Sequence, residues 1–163
     1  MKRDLFLFIL LALLSGCSLL KMGTKEQHQQ VSDQQLGNAV SESVNALLDE
    51  YWLSDFLVQH NERPILITSS FTNPTDVAID MTALYNKVEM SLIESGQVRV
   101  VKSNQNQRDT QPTKLAKGKS VDYVLSVNFE EKQDTTPPIL IIQLSLWNER
   151  SISPLSIVSK EIN

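Results

Sequence analysis

Asp76 and Asp80 are the pair of side chains in this sequence best spaced for acid–base chemistry. Two carboxylates four positions apart around a helix start could act as general acid and base in glycan cleavage. The same two residues serve equally well as loop polarity and a helix N-cap, and no third group joins them. The sequence has no G-x-S-x-G, no P-loop, no H-E-x-x-H and no glycine-rich dinucleotide turn. Its two histidines, His28 and His60, lack a second ligand at a metal-binding spacing. Cys17 is the single cysteine, which excludes an intrachain disulfide and a Cys-based metal site. Aromatic residues make up only 6% of the chain, too few to suggest a sugar-stacking groove. No catalytic residue, metal or cofactor is therefore expected, the chain is not expected to be an enzyme, and binding is the function class left.

One nucleophile nonetheless has a distinctive setting. The chain opens Met1-Lys2-Arg3-Asp4, continues as an apolar run from Leu5 to Leu14, and reaches the small residues Ser15 and Gly16 just before Cys17. A basic start, a short apolar stretch and small residues form the layout of a secretory signal peptide. The apolar run of about ten residues is too short to cross a bilayer, which takes about 20. Leu14-Ser15-Gly16-Cys17 resembles the lipobox of bacterial lipoproteins. That resemblance implies a diacylglycerol on the Cys17 thiol, cleavage of the bond before it, and acylation of the new amino end. Each buried methylene adds about 0.8 kcal/mol, so two or three chains hold where one would let go. The alternative is an ordinary secreted protein with a free cysteine at its cleavage site; it leaves the position of the lone cysteine unexplained. By the same resemblance Ser18, standing where aspartate signals inner-membrane retention, implies an anchor in the outer membrane, on its periplasmic face.

The elements that must position any binding surface come from the remaining chain. Loss of residues 1–16 from 163 leaves 147, and the formal charge of −4 becomes −5 because Lys2 and Arg3 leave with Asp4. That suits one domain on a short tether, and its acidity argues against nucleic acid as a partner. Residues 17–31 read as a lipidated tether, polar and without apolar period. At about 3.5 Å per residue its stretched span is roughly 50 Å.

Residues 32–163 read as the domain. Ser32-Asp33-Gln34-Gln35 fits a capping box, with Val31 and Leu36 as a hydrophobic staple. Leu36, Val40, Val44, Leu47, Leu48 and Tyr51 follow at spacings of mostly three or four, opposite Asn38, Glu42, Asn45 and Asp49. This predicts a long amphipathic helix, with Trp52 to Val58 either continuing it or forming a second short turn. The stripe could face a membrane, a partner or a core; the acidic to neutral polar side fits a core, since a membrane-lying helix carries lysines there. Pro64 to Ser69 reads as a buried strand, 71–79 as a loop organised by Asn73-Pro74, and Asp80 as the N-cap of a second helix. That helix should bury Leu84, Val88 and Leu92, flanked by Met81, Tyr85 and Ile93, and close at Gly96. Val98 to Val101 follows as a strand, and strand–helix–strand with short joints predicts a right-handed parallel βαβ unit.

Residues 102–120 are polar and hold the domain's basic cluster, Lys114, Lys117 and Lys119; they read as a solvated connection or a site for an acidic partner. Val121, Tyr123, Leu125, Val127 and Phe129 alternate with Asp122, Ser126, Asn128 and Glu130, the mark of a half-buried strand. Ile139 to Trp147 and Leu155 to Ile162 supply two more, joined by polar turns into an antiparallel meander. The expected fold is α+β, a mixed sheet of about five strands with two main helices on one face.

Arg63-Pro64-Ile65-Leu66-Ile67, Asn73-Pro74-Thr75, Ile79-Asp80 and Leu92-Ile93-Glu94-Ser95-Gly96-Gln97-Val98-Arg99-Val100-Val101 together resemble the LpoB family of penicillin-binding protein activator lipoproteins. The resemblance covers the signal peptide and residues 34–163. It implies a fold similar to the N-terminal domain of TolB and a periplasmic protein partner, a class A penicillin-binding protein whose peptidoglycan synthesis it stimulates. Regulation of cell shape would follow. The same module occurs in flagellar and curli-secretion accessories, so a non-catalytic assembly role in another envelope machine is the alternative. An open sheet edge or the Asn73-Pro74 loop is the expected docking element.

Overall fold

The computed structural model describes residues 31–104, 121–135, 138–148 and 150–162. The signal segment, Cys17, His28, most of the tether and the lysine cluster lie outside the described residues.

The first helix, α1 (Asp33–Leu48), begins on the capping box: Ser32 Oγ accepts the Gln35 N–H at 3.2 Å, and Gln35 Oε1 accepts the Ser32 N–H at 3.0 Å. It buries Leu36, Val40, Val44, Leu47 and Leu48, while Asn38, Glu42, Asn45 and Asp49 face out. The stripe is a core face. The helix does not run on through Tyr51. It breaks at Asp49–Glu50 and restarts as α2 (Tyr51–His60). The Trp52 indole N–H donates to the Leu47 carbonyl at 2.7 Å, filling one of the acceptors that a helix end leaves open. Asn61, in the left-handed region at φ 53°, closes α2; asparagine tolerates that region better than most residues.

Strand β1 (Ile65–Thr72) is followed by α3 (Met81–Ser95) and β2 (Arg99–Val101). Strands β3 (Tyr123–Lys132), β4 (Ile139–Trp147) and β5 (Ser156–Ile162) complete a five-stranded sheet in the order β2-β1-β3-β4-β5. β1 pairs in parallel with both β2 and β3, and β3, β4 and β5 form the antiparallel meander. The fold is the expected α+β mixed sheet, with a third, short helix. α1 and α3 pack against each other and against the sheet. Leu66, Leu125, Phe129, Ile142, Leu144 and Leu146 fill the interface between the two layers.

Two expectations are corrected. β1 does not stop at Ser69: it irregularly shifts register between Thr68 and Phe71 and continues to Thr72. The reason is Phe71, whose ring stacks on Tyr85 with centroids 3.6 Å apart. On α3, Ile93 is 47% exposed, and Glu89 takes a buried place. The Glu89 carboxylate accepts the Thr68 hydroxyl at 2.8 Å, and that partner is what permits its burial.

Candidate functional site

Asp80 and Asp76 do not form an acid–base pair. Asp80 Oδ1 accepts the Thr82 and Ala83 N–H groups at 2.9 and 3.0 Å, an N-cap, and Asp76 sits exposed in the preceding loop. That loop is tied to itself. Asn73 Nδ2 donates to the Val77 carbonyl at 2.8 Å, and Asn73 Oδ1 accepts from the Thr75 N–H and hydroxyl. His60 lies against the Phe56 ring, centroids 4.2 Å apart. Among the described residues no group of three or more His, Cys, Asp or Glu side chains is arranged to hold a metal, and no helix is long and apolar enough to cross a membrane.

The motif residues meet at the start of the sheet. Arg63 Nη1 donates to the Gly96 carbonyl at 2.9 Å, Arg99 Nε donates to the Arg63 carbonyl at 3.0 Å, and the Arg99 N–H donates to the Pro64 carbonyl at 2.8 Å. Gly96 holds φ 66°, the left-handed turn that lets the chain leave α3 and enter β2. Ser95 Oγ donates to the Leu92 carbonyl and accepts the Gln97 N–H. The Arg-Pro and Ser-Gly-Gln-Val-Arg segments therefore form one corner in which each polar group serves another.

Beside this corner lies an open groove of about 940 Å³ between α2 and the starting ends of the parallel strands. One wall is α2, with Tyr51, Asp55, Phe56 and His60; the other includes Arg99, Asp122 and Tyr123, and the β4–β5 turn closes one end with Arg150 and Leu155. Tyr51 is 78% exposed at the first position of its helix, and Leu155 is 47% exposed. Tyr123 forms the floor. Its ring meets Trp52 edge-on at 4.9 Å and Phe56 at 5.7 Å, leaving the residue 9% exposed.

Asp122 is placed by backbone pairing. Its N–H donates to the Ile65 carbonyl at 2.9 Å, and its Oδ2 accepts the Ile65 N–H at 2.7 Å. Asp55 accepts one bond, from Gln59 Nε2 at 2.7 Å. Among the described residues neither carboxylate forms an ion pair, whereas Glu62 is matched by Arg99 at 3.2 Å. The negative potential they leave is felt at Tyr123, whose hydroxyl is held above the usual tyrosine pKa by burial first, then by Asp122 and Asp55. The groove offers carboxylates, aromatic rings and a phenol hydroxyl to a ligand.

The helix caps were readable from local spacing, but this groove was not. Tyr123 was visible as a half-buried strand position, yet nothing local says that Asp55 and Asp122 share a cleft.

A family model described as peptidoglycan-synthase activator LpoB matches residues 35–135. The LpoB C-terminal domain from Escherichia coli is similar in structure, at a TM-score of 0.59 and 13% identity, over 78% of this chain and 98% of that one. The corresponding domain from Salmonella enterica gives 0.57 at the same identity and coverage. These likenesses establish the fold. No curated protein matches the chain in sequence.

Proposed function

Since the chain belongs to the LpoB family of peptidoglycan-synthase activators, we propose that it is an outer-membrane lipoprotein that binds a class A penicillin-binding protein and stimulates its peptidoglycan synthesis. In this reading residues 1–16 are a cleaved signal peptide, Cys17 carries the acyl anchor, and residues 17–31 tether the domain of residues 32–163 at the periplasmic face of the outer membrane. The family match carries the proposal. A groove with carboxylates and aromatic rings supplies a surface for docking; in this reading the protein biases a partner's conformation and performs no reaction, with no cofactor and no nucleic acid involved.

Capture of the cognate class A synthase from solubilised envelopes by the full chain, together with mass spectrometry of Cys17, tests the assignment. The expected result is specific retention of the synthase and an acylated Cys17. A free thiol, or no retention of any cognate synthase, ends it.

A second reading is favoured by the tether alone. A string of roughly 50 Å plus about 35 Å for a domain of this size gives limited reach across the wall. A non-catalytic assembly role in a flagellar or secretion machine nearer the outer membrane would need less. It predicts co-purification with that machine and an unaltered sacculus after deletion.

A further inference from the structure

The α2 groove contains charge and hydrogen-bonding capacity that the fold does not use. Asp55 and Asp122 are without cationic partners among the described residues. The Tyr123 hydroxyl has no hydrogen-bond partner among them either, although nine-tenths of that residue is buried. Its ring is packed against Trp52 and Phe56, and the hydroxyl end reaches the open side. Here it lines an open groove between two carboxylates, and its neighbours Tyr51 and Leu155 offer apolar surface to solvent. Within the same groove Glu62 is matched by Arg99 at 3.2 Å, whereas Asp55 and Asp122 are not matched by a described cation.

From this we infer that the groove is the receptor for a basic side chain of a protein partner, an arginine or lysine whose cationic head sits between Asp55 and Asp122 above Tyr123. An N–H of the cation donates to the phenol oxygen and others donate to the carboxylates, charge-assisted bonds stronger than neutral ones. The ring faces of the aromatic wall add cation–π attraction. Apolar neighbours of the basic residue in the partner cover Tyr51 and Leu155. Arg99 does not fill the site because it is spent on Glu62 and on the Arg63 carbonyl. The nature of the partner rests on the synthase reading above; the cation site does not.

The test has two arms. In the first, the 15N-labelled full chain in micelles is titrated with N-acetyl-arginine amide and with its neutral isostere, N-acetyl-citrulline amide. The arginine compound should shift the Asp55, Asp122 and Tyr123 amides, and the citrulline compound should leave them in place. The Asp55→Asn/Asp122→Asn double variant should lose the response; the side-chain amide oxygen introduced at position 122 can still accept the Ile65 N–H, so the strand pairing survives. In the second arm, the double variant should bind the purified cognate synthase about tenfold more weakly at low salt, with the deficit shrinking as salt rises. Tyr123→Phe should lose about threefold, the low end for a single hydrogen bond because the groove is open to water, and Asp76→Asn should lose nothing. Unmoved groove amides, or wild-type synthase affinity in the double variant, would overturn the inference. If the arginine shifts appear while the wild-type chain binds no synthase, the synthase reading fails and the cation site stands. If the double variant loses binding to purified sacculi but keeps its synthase affinity, the groove belongs to wall-peptide amines and the protein assignment falls.

Discussion

Two neighbouring regions at the start of the sheet use their polar groups in opposite ways. In the corner built from Arg63, Ser95, Gly96 and Arg99, guanidinium N–H groups go to carbonyls across the β1–β2 junction, and the chain's turn depends on them. In the groove alongside, Asp55, Asp122 and Tyr123 keep carboxylate and hydroxyl capacity that no described residue takes up. The contrast teaches that the most recognisable motif in a sequence can be architecture. The corner holds residues by which the sequence resembles its family, and their polar groups are spent on the β1–β2 junction; the residues proposed for a partner lie next door in less distinctive sequence.

Substitutions separate the two regions. Trp52→Ala should have the largest effect, because it removes a buried ring that supports Tyr123 at the groove floor and caps α1. A loss of about 3–5 kcal/mol of stability is expected, read from urea unfolding. Gly96→Ala attacks the corner alone: forcing a side chain into φ 66° should cost about 1–2 kcal/mol, while arginine-amide shifts in the groove stay as in the wild type. Asp80→Ala removes two cap bonds from α3 and should cost about 1 kcal/mol in the same unfolding measurement, again without affecting the groove. These last two results together would confirm that corner and groove are separable; a groove response lost with either would merge them.

A smaller effect follows from Tyr123. Burial, then Asp122, then Asp55, raises its pKa above the ordinary 10.0, so the folded state holds its proton more tightly than the unfolded chain. The stability this confers is complete below pH 10 and is lost as pH rises through the folded-state pKa. Urea midpoints followed from about pH 8 to about pH 11 should therefore fall more steeply for the wild type than for Tyr123→Phe.

Much of the fold could be read from local physics. The Ser32 capping box, the Asp80 cap, the Gly96 turn and the alternation through Leu125 to Phe129 each depend on residues within a few positions of one another, and each holds in the structure; before Leu125 the alternation fails, because Val124 is buried on the opposite face beside Ile67. Where the reading slipped, a distant contact decided. Phe71 stayed in β1 because Tyr85 stacks on it, and Glu89 joined the buried set because Thr68 supplies a hydroxyl. The break between α1 and α2 depends on Trp52 reaching the Leu47 carbonyl, which periodicity does not encode. The groove was least legible. Its two carboxylates without a described cationic partner come from α2 and from the entry to β3, and they share a groove only because β3 pairs with β1 across a strand order that local patterns do not specify. Of the two expected docking elements, the Asn73-Pro74 loop turns Asn73 onto its own backbone and Thr75, and the open sheet edges are β2 and β5.

The most direct measurement is the initial rate of glycan polymerisation by the purified cognate class A synthase, with and without an equimolar amount of the full chain. A rate increase that the wild-type chain produces and the Asp55→Asn/Asp122→Asn variant largely loses is the predicted result. An unchanged rate with the wild-type chain, under conditions where both proteins are folded, would contradict it.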